Sequence, residues 1–555
     1  MRRYAVNVVT VVSLVLAPLS PTLAAPAAQA EEQALAARID ALIAPYFPAT
    51  GPGVAVIVTK DGKTVFRKGY GRADVASGTA LRADAPARIG SMTKQFTAVA
   101  ILMLADEGKL ALSDDITRFL PDYPTHGAKI TIEHLLTHTS GIPSYTGKRG
   151  FRDVMRTDVT VAQGIAFFKD DALEFVPGSR FSYDNSGYFL LGAIIEKASG
   201  LPYARFLEER IFKPLGMTHT GYEDARFQPV TGYDGRAQPA GPISMTWPYA
   251  AGALVSTVDD LARWQAALAD GKLLRPDTLR RAWSAHTLND GTPNPYGYGW
   301  FVGRLHGVDE VFHGGNIPGF TSDAVWLPKE HVYVAMLANR DADGIHVPLA
   351  KLTHGIAMDV AGKPLPVPSA TAPDAATLDG YVGVYPIDDK RAHTVRHENG
   401  GLTIQGTGMP RAPLRGYRKD GFLIGDSLIT VQFQRDTKGV VTDLTIDDEL
   451  NRTTHHRSST TVPELRAVQV APAVLDQYLG RYPLAPGLVI EVTREGGTLR
   501  ATPVGQPAMK LTALAQDTFV DAEHDIRLHF DKQADGTVGM TLEQGPHKLS
   551  APRQL

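Results

Sequence analysis

Ile89-Gly-Ser-Met-Thr-Lys94 runs directly into Gln95-Phe-Thr-Ala-Val-Ala-Ile-Leu-Met-Leu-Ala105, which Gly108 closes. The apolar density of the second piece predicts a buried helix, so Ser91 and Lys94 stand at i and i+3 near its start. Residues so spaced share a face about 5–6 Å apart, which lets a lysine amine reach a serine hydroxyl. Burial favours the neutral amine, because desolvation penalises the charged form. The helix N-terminus adds N–H groups and positive partial charge where a tetrahedral oxyanion would form. Alone the tetrapeptide is weak evidence, since a serine here can simply cap the helix while the lysine points to water.

Two further segments change that weight. In Phe181-Ser-Tyr-Asp-Asn-Ser-Gly-Tyr188, Tyr183 and Asn185 alternate along a turn-rich loop that precedes an amphipathic helix. Alternate residues of an extended loop project to one side. A phenol beside a lysine cation can have a depressed pKa and shuttle a proton, and a carboxamide can bind a substrate amide. In Val311-Phe-His-Gly-Gly-Asn316, followed by the strand-like Val332-Tyr-Val-Ala-Met-Leu-Ala338, His313 with Gly314 and Gly315 reads as a strand edge against which a substrate can lie. The plainer reading of His313 is a buried histidine satisfied by a neighbour.

These three segments, in this order, resemble the penicillin-recognising serine enzymes: class C β-lactamases, DD-peptidases, D-aminopeptidases and related esterases. Ile132-Glu-His-Leu-Leu-Thr-His-Thr-Ser-Gly141, Pro177-Gly-Ser-Arg-Phe-Ser-Tyr183, Pro214-Leu-Gly-Met217 and Ala251-Gly-Ala-Leu-Val-Ser256 support the match over roughly residues 35–360. The resemblance implies Ser91 as acylated nucleophile, Lys94 as base, Tyr183 as proton relay and Asn185 as a substrate ligand. It implies an oxyanion hole from the backbone N–H groups of Ser91 and Asn316, and His313 and Gly315 beside the substrate. The implied fold is α+β: an antiparallel sheet with helices on one face and an inserted helical region. No metal or cofactor is required.

One departure bears on substrate. Where β-lactamases and many carboxypeptidases carry Lys-Thr-Gly or a close variant, this chain has His313-Gly-Gly315. An imidazole is half protonated only near pH 6.5, so a fixed partner for a substrate carboxylate is missing and penicillinase activity is expected to be weak or absent. Histidine here, with two tail domains, looks most like the D-aminopeptidase branch, whose substrates present a free ammonium and whose tail loop reaches the active site. Asp521-Ala-Glu-His-Asp525 is a candidate for that loop, although a solvated turn is the simpler reading. The expected function is hydrolysis of small amides or peptides through an acyl-enzyme, favoured as a D-amino-acid-specific aminopeptidase. The alternatives are a carboxylesterase or weak β-lactamase or DD-carboxypeptidase of the same family, and a catalytically silent sensor of cell-wall peptides.

Beyond the catalytic segments, Lys363–Pro373 carries four prolines and reads as a linker. Short strand-like runs separated by Gly, Asp and Asn follow. Leu378-Asp-Gly-Tyr-Val-Gly-Val-Tyr-Pro386 returns 97 residues later as Leu475-Asp-Gln-Tyr-Leu-Gly-Arg-Tyr-Pro483, and the same offset aligns Leu402 with Leu499, Phe422 with Phe519, Phe433 with Phe530 and Gly439 with Gly536. Such a repeat predicts two homologous small antiparallel β-barrel-like domains, 374–458 and 471–553, after a hydrolase domain at 31–362.

With 555 residues the chain exceeds one ordinary core. Its 56 Lys plus Arg nearly balance 59 Asp plus Glu, which removes the basic footprint of a nucleic-acid or anionic-membrane binder. Arg2-Arg3, the apolar run Val8–Leu19 and Ala28-Gln-Ala30 have the layout of a signal peptide over 1–30, and Pro18 and Pro21 interrupt the run before the ~20 residues of a membrane span. The mature enzyme is therefore expected in the periplasm or secreted, off the membrane, with a small-molecule or peptide substrate as its partner. The absence of cysteine excludes a thiol nucleophile and thiolate metal sites. His134 and His138 have i, i+4 spacing but lack the glutamate of His-Glu-x-x-His, so no zinc site is read there.

Overall fold

The computed structural model describes residues 24–345, 348–369, 374–448, 450–485, 488–504, 506–532 and 537–554. Residues 1–23 of the expected leader, 370–373 of the linker and Gly536 of the repeat lie outside the described residues.

A six-stranded sheet organises the first part of the chain. Strands β1 (Val54–Lys60) and β2 (Lys63–Tyr70) form a hairpin near its start, while β3 (Phe301–Leu305), β4 (Val308–Ile317), β5 (Phe320–Leu327) and β6 (Val332–Ala338) come from its end. β1 pairs with β6, giving the all-antiparallel order β3-β4-β5-β6-β1-β2. Around it lie helices α1 (Ala24–Ile43), α2 (Thr93–Asp106), α3 (Ser186–Ser199), α4 (Val258–Ala269) and α5 (Leu349–Val360). Shorter helices such as Ile132–Leu136 and Val161–Phe168 fill the inserted region between α2 and α4.

Helices cover both faces of this sheet, which corrects the expectation of one covered face. Every residue of β5 and β6 is buried, and a strand such as β6 that is apolar on both faces needs cover on each side. One face packs on α2, α3 and α4 through residues such as Phe96, Leu190 and Trp264. The other packs on α1 and α5 through Ile39, Ile43, Ile356 and Met336. Each fully buried side chain of this size contributes about 1.5–3 kcal/mol relative to exposure. A buried polar contact ties α5 to the sheet: His354 Nδ1 lies 3.0 Å from Glu310 and Nε2 lies 3.7 Å from Asp323.

Among its described residues the C-terminal region is β apart from short helical turns at Ala375–Asp379, Pro472–Leu475 and Asp476–Tyr478. Eight antiparallel strands from Gly383 to His456 follow in sequence order, and the ends meet: Val384 N–H donates to Ser459 O and Ser458 N–H to Val384 O. Two further sheets, of four and five strands, lie between Gly480 and Pro552, with Arg481 and Gln554 exchanging the matching bonds. The repeat is also visible in side chains. Tyr385 OH donates to Tyr381 O and Tyr482 OH to Tyr478 O, each at 2.8 Å. The ring pairs Phe422–Phe433 and Phe519–Phe530 sit edge to face at 5.6 and 5.7 Å.

The loop Asp521–Asp525 docks on the preceding β unit and not on the catalytic cleft, which overturns its candidacy as an active-site loop. Gly408 N–H donates to Asp525 Oδ2 at 2.6 Å, Arg411 N–H to Glu523 O at 2.8 Å and Gln405 Nε2 to Ala522 O at 3.0 Å. His524 takes the Asp521 carboxylate at 2.7 Å. Leu428 and Leu450 of the first β unit pack into the α1–α5 side of the catalytic core, away from Ser91.

Candidate active site

Gly90, at φ +48°, opens a single 3₁₀ turn over Gly90–Met92 that feeds α2. All of α2 from Thr93 to Leu104 is buried, so its first turn sits in the centre of the domain with Ser91 at the surface of a cleft. Lys94 has no exposed surface. Its Nζ donates to Ser91 Oγ at 3.1 Å, Asn185 Oδ1 at 2.8 Å and Ala251 O at 2.9 Å. It also lies 4.9 Å from the Tyr183 ring centroid and 5.5 Å from that of Tyr188. All three acceptors are neutral, so burial draws the amine down to about 7, against a smaller upward pull from Asp184.

The Tyr183 loop is held from behind by His138. Ser182 N–H donates to His138 O at 2.9 Å, Asp184 N–H to His138 Nδ1 at 3.2 Å, and the Asp184 carboxylate lies 3.3 Å from the same nitrogen. The Tyr183 ring packs on that of His138, tilted by 37° with centroids 4.2 Å apart. The phenol has no hydrogen-bond partner of normal geometry. Its pKa is raised, by burial first, with the nearby Ser91 hydroxyl pulling it back. This corrects the expected depression: loss of solvent, aided by the negative charge of Asp184, outweighs the Ser91 hydroxyl, so Tyr183 stands protonated and ready to donate.

Asn185 offers Oδ1 to Lys94, while its Nδ2 donates to Thr146 Oγ1 at 3.2 Å and its N–H to Ser144 Oγ at 3.1 Å. The sequence reading missed His138 and Asp184, although Thr137-His-Thr-Ser-Gly141 and Tyr183-Asp-Asn185 were both on view. The dismissed i, i+4 pair resolves into two roles, since His134 accepts from Thr131 N–H at 3.2 Å in a helix cap.

Gly315 and Asn316 meet the nucleophile turn directly. A Cβ on Gly315 would lie 2.1 Å from Ile89 O, and one on Gly90 would lie 3.0 Å from Asn316 N. Ser322 Oγ donates to Ile89 O at 2.8 Å and fixes the same approach. Glycine at 315 thus serves backbone packing, where a strand-edge contact with substrate was expected. β3 pairs with β4 only from Val308 to Phe312, and the exposed Asn316 borders the cleft.

His313 does not reach the cleft. It is 2% exposed, its Nδ1 lies 2.6 Å from Gly314 O and its Nε2 2.9 Å from Tyr296 OH. A carbonyl only accepts, so Nδ1 carries the proton and Nε2 accepts from the phenol. Burial, followed by the charge of Lys94, pushes its pKa down to about 3. The histidine is therefore neutral throughout the working range, further from a cation than its half-protonation near 6.5 implied.

The cavity beside Ser91 has a volume of about 200 Å³. Ser91, Thr146, Asn185 and Asn316 supply its polar groups and the rest of its lining is apolar or glycine. A larger cleft of about 940 Å³, bordered by Trp283, Arg304 and Leu450, shares no residue with it. The Ser91 cavity is the candidate site because the paired hydroxyl and amine open onto it.

Comparison with known proteins places these segments in context. The Beta-lactamase family matches residues 39–354, and DUF3471, a domain of unknown function, matches residues 367–458. Penicillin-binding protein 4* of Bacillus subtilis (strain 168) is 28% identical over 412 residues, covering 68% of this chain and 89% of the relative. Protein flp of Staphylococcus aureus (strain N315) is 31% identical over 311 residues, 53% of this chain and 60% of flp. The octameric penicillin-binding protein homologue from Pyrococcus abyssi superposes with a TM-score of 0.52 at 24% identity, over 78% of this chain and 98% of that one; the likeness is one of fold.

Proposed function

The chain belongs to the β-lactamase family of serine hydrolases, and from that premise we propose that it cleaves small uncharged amides or esters through an acyl-enzyme on Ser91. The observation that carries this reading is the fully buried Lys94 amine 3.1 Å from Ser91 Oγ. In its neutral form Lys94 keeps its two N–H bonds to Asn185 Oδ1 and Ala251 O and turns its lone pair to the Ser91 hydroxyl; it takes that proton as Oγ bonds to the carbonyl carbon, and the backbone N–H groups of Ser91 and Asn316 hold the oxyanion. The bond to the leaving nitrogen or oxygen then breaks, the leaving atom takes the Tyr183 proton, and Lys94 returns its proton to Tyr183. Water attacks the ester carbonyl in a second cycle, its proton passes through the same pair to Ser91 Oγ, and the acid is released.

A D-amino-acid aminopeptidase needs an anionic partner for the substrate ammonium. Among the described residues no carboxylate lines the cavity, and the loop Asp521–Asp525 docks elsewhere. The uncharged lining favours neutral esters and amides, so the carboxylesterase reading takes precedence over the aminopeptidase one. The leader-like residues 1–30 support an exported enzyme.

Intact-mass analysis after treatment with a fluorophosphonate tests the assignment. Ser91 Oγ should bond to phosphorus with loss of fluoride, giving one adduct in the wild type and none in Ser91→Ala. No adduct in either protein would instead support a silent peptide-binding module. On labelled-competent enzyme, p-nitrophenyl butyrate should turn over and D-alanine p-nitroanilide should not; the reverse restores the aminopeptidase reading.

Asp184 supplies a pH test. Its charge raises the Lys94 pKa against the effect of burial, so Asp184→Asn should extend neutral Lys94 to lower pH. The acid limb of kcat/KM should rise through about 7 in the wild type and move downward in the variant. An acid limb that stays put, or moves up, would remove Lys94 as the titrating base.

A further inference from the structure

We propose that the cavity beside Ser91 is an acyl-group pocket that admits a short uncharged hydrocarbon chain and rejects charged or long ones. The assignment rests on the acyl-enzyme reading of Ser91 and names the substrate class that site selects.

Three observations carry it. First, chemistry: Tyr145, Phe151, Met155, Ile243, Pro248 and Ile317 make most of the wall, and no Asp, Glu, Lys, Arg or His lines it. A carboxylate or ammonium entering there loses water and finds no opposite charge. The Lys94 amine is committed to Ser91, Asn185 and Ala251, and His313 is buried.

Second, size: about 200 Å³ falls below the roughly 300–1,000 Å³ of sites for drug-sized ligands. The back wall is rigid. Tyr145 and Trp247 each meet Phe151 edge to face, at 5.3 and 5.4 Å, Tyr145 OH donates to Trp247 O at 2.6 Å, and the Trp247 indole donates to Val154 O and Thr157 O. The outer wall is thinner. Half-buried Met155 and Ile243 are joined by the 2.9 Å bond from Ser244 N–H to Met155 O.

Third, direction: the leaving atom must face the Tyr183 phenol that protonates it, and Tyr183 does not line the cavity. The leaving group therefore points toward Tyr183, and the acyl group enters the pocket.

A series of p-nitrophenyl esters holds the leaving group constant. From acetate to butyrate kcat/KM should climb, roughly tenfold for each methylene that fits, while octanoate and the mono-p-nitrophenyl ester of succinate should each fall ~100-fold or more below butyrate. The double variant Met155→Ala/Ile243→Ala opens the outer wall and should raise the octanoate-to-butyrate ratio ~10-fold. Succinate hydrolysed within ~3-fold of butyrate overturns the proposal. So does an unchanged ratio in a double variant whose melting temperature and fluorophosphonate labelling match the wild type. Where Ser91 labels normally and the chain-length profile is flat, the pocket assignment fails alone; where Ser91 does not label, the acyl-enzyme reading fails and takes the pocket with it.

Discussion

Lys94→Ala should lower turnover of p-nitrophenyl butyrate by ~10³ or more, close to the loss in Ser91→Ala, because residues that act as one unit fail together. Among the described residues the Ser91 hydroxyl has no other neutral base in hydrogen-bonding contact: Tyr183 is held protonated and His313 is buried with both nitrogens engaged. Lys94→Arg should rescue nothing, since a guanidinium does not give up its proton in a protein. Lys94→Ala should remain folded by circular dichroism, as it removes a fully buried amine and leaves Asn185 still bonded to Thr146 and Ser144. Turnover within about tenfold of wild type in Lys94→Ala would assign the base elsewhere.

Gly315→Ala should cost ~10² or more in kcat/KM without abolishing the fold. The added methyl would sit 2.1 Å from the carbonyl oxygen of Ile89 and 2.5 Å from Ser322 Oγ. The first is backbone, one residue before Gly90, so the nucleophile turn or β4 must shift by the order of 1 Å, enough to spoil an aligned attack. Gly314→Ala is the internal control. Its methyl would meet Asp323 Oδ1 at 3.2 Å, a contact relieved by a few tenths of an ångström, and its effect on kcat/KM should be much smaller. Equal losses in the two variants, or no loss at 315, would mean that the strand does not set the geometry of the turn.

Much of the fold could be read from local pattern. The apolar run after Lys94 specified a buried helix, the proline-rich 363–373 a break, and the 97-residue repeat two related β units whose tyrosine and phenylalanine contacts recur at that spacing. Cover on both sheet faces was legible in principle from the unbroken apolar strand β6, but its pattern does not say which helices supply it.

The chain by itself determined which reactive groups are present and that Ser91 and Lys94 share a helical face, because i, i+3 neighbours are fixed by helix geometry alone. Only the tertiary structure decided their ionisation and their surroundings. Desolvation depends on what packs around a group from distant segments: Ala251 and the Tyr183 loop enclose Lys94, Tyr296 claims His313, and the β unit at Thr407–Arg411 claims the loop Asp521–Asp525. Pattern along the chain carries no record of those encounters, so the proton on Tyr183 and the neutrality of His313 belong to the packed molecule.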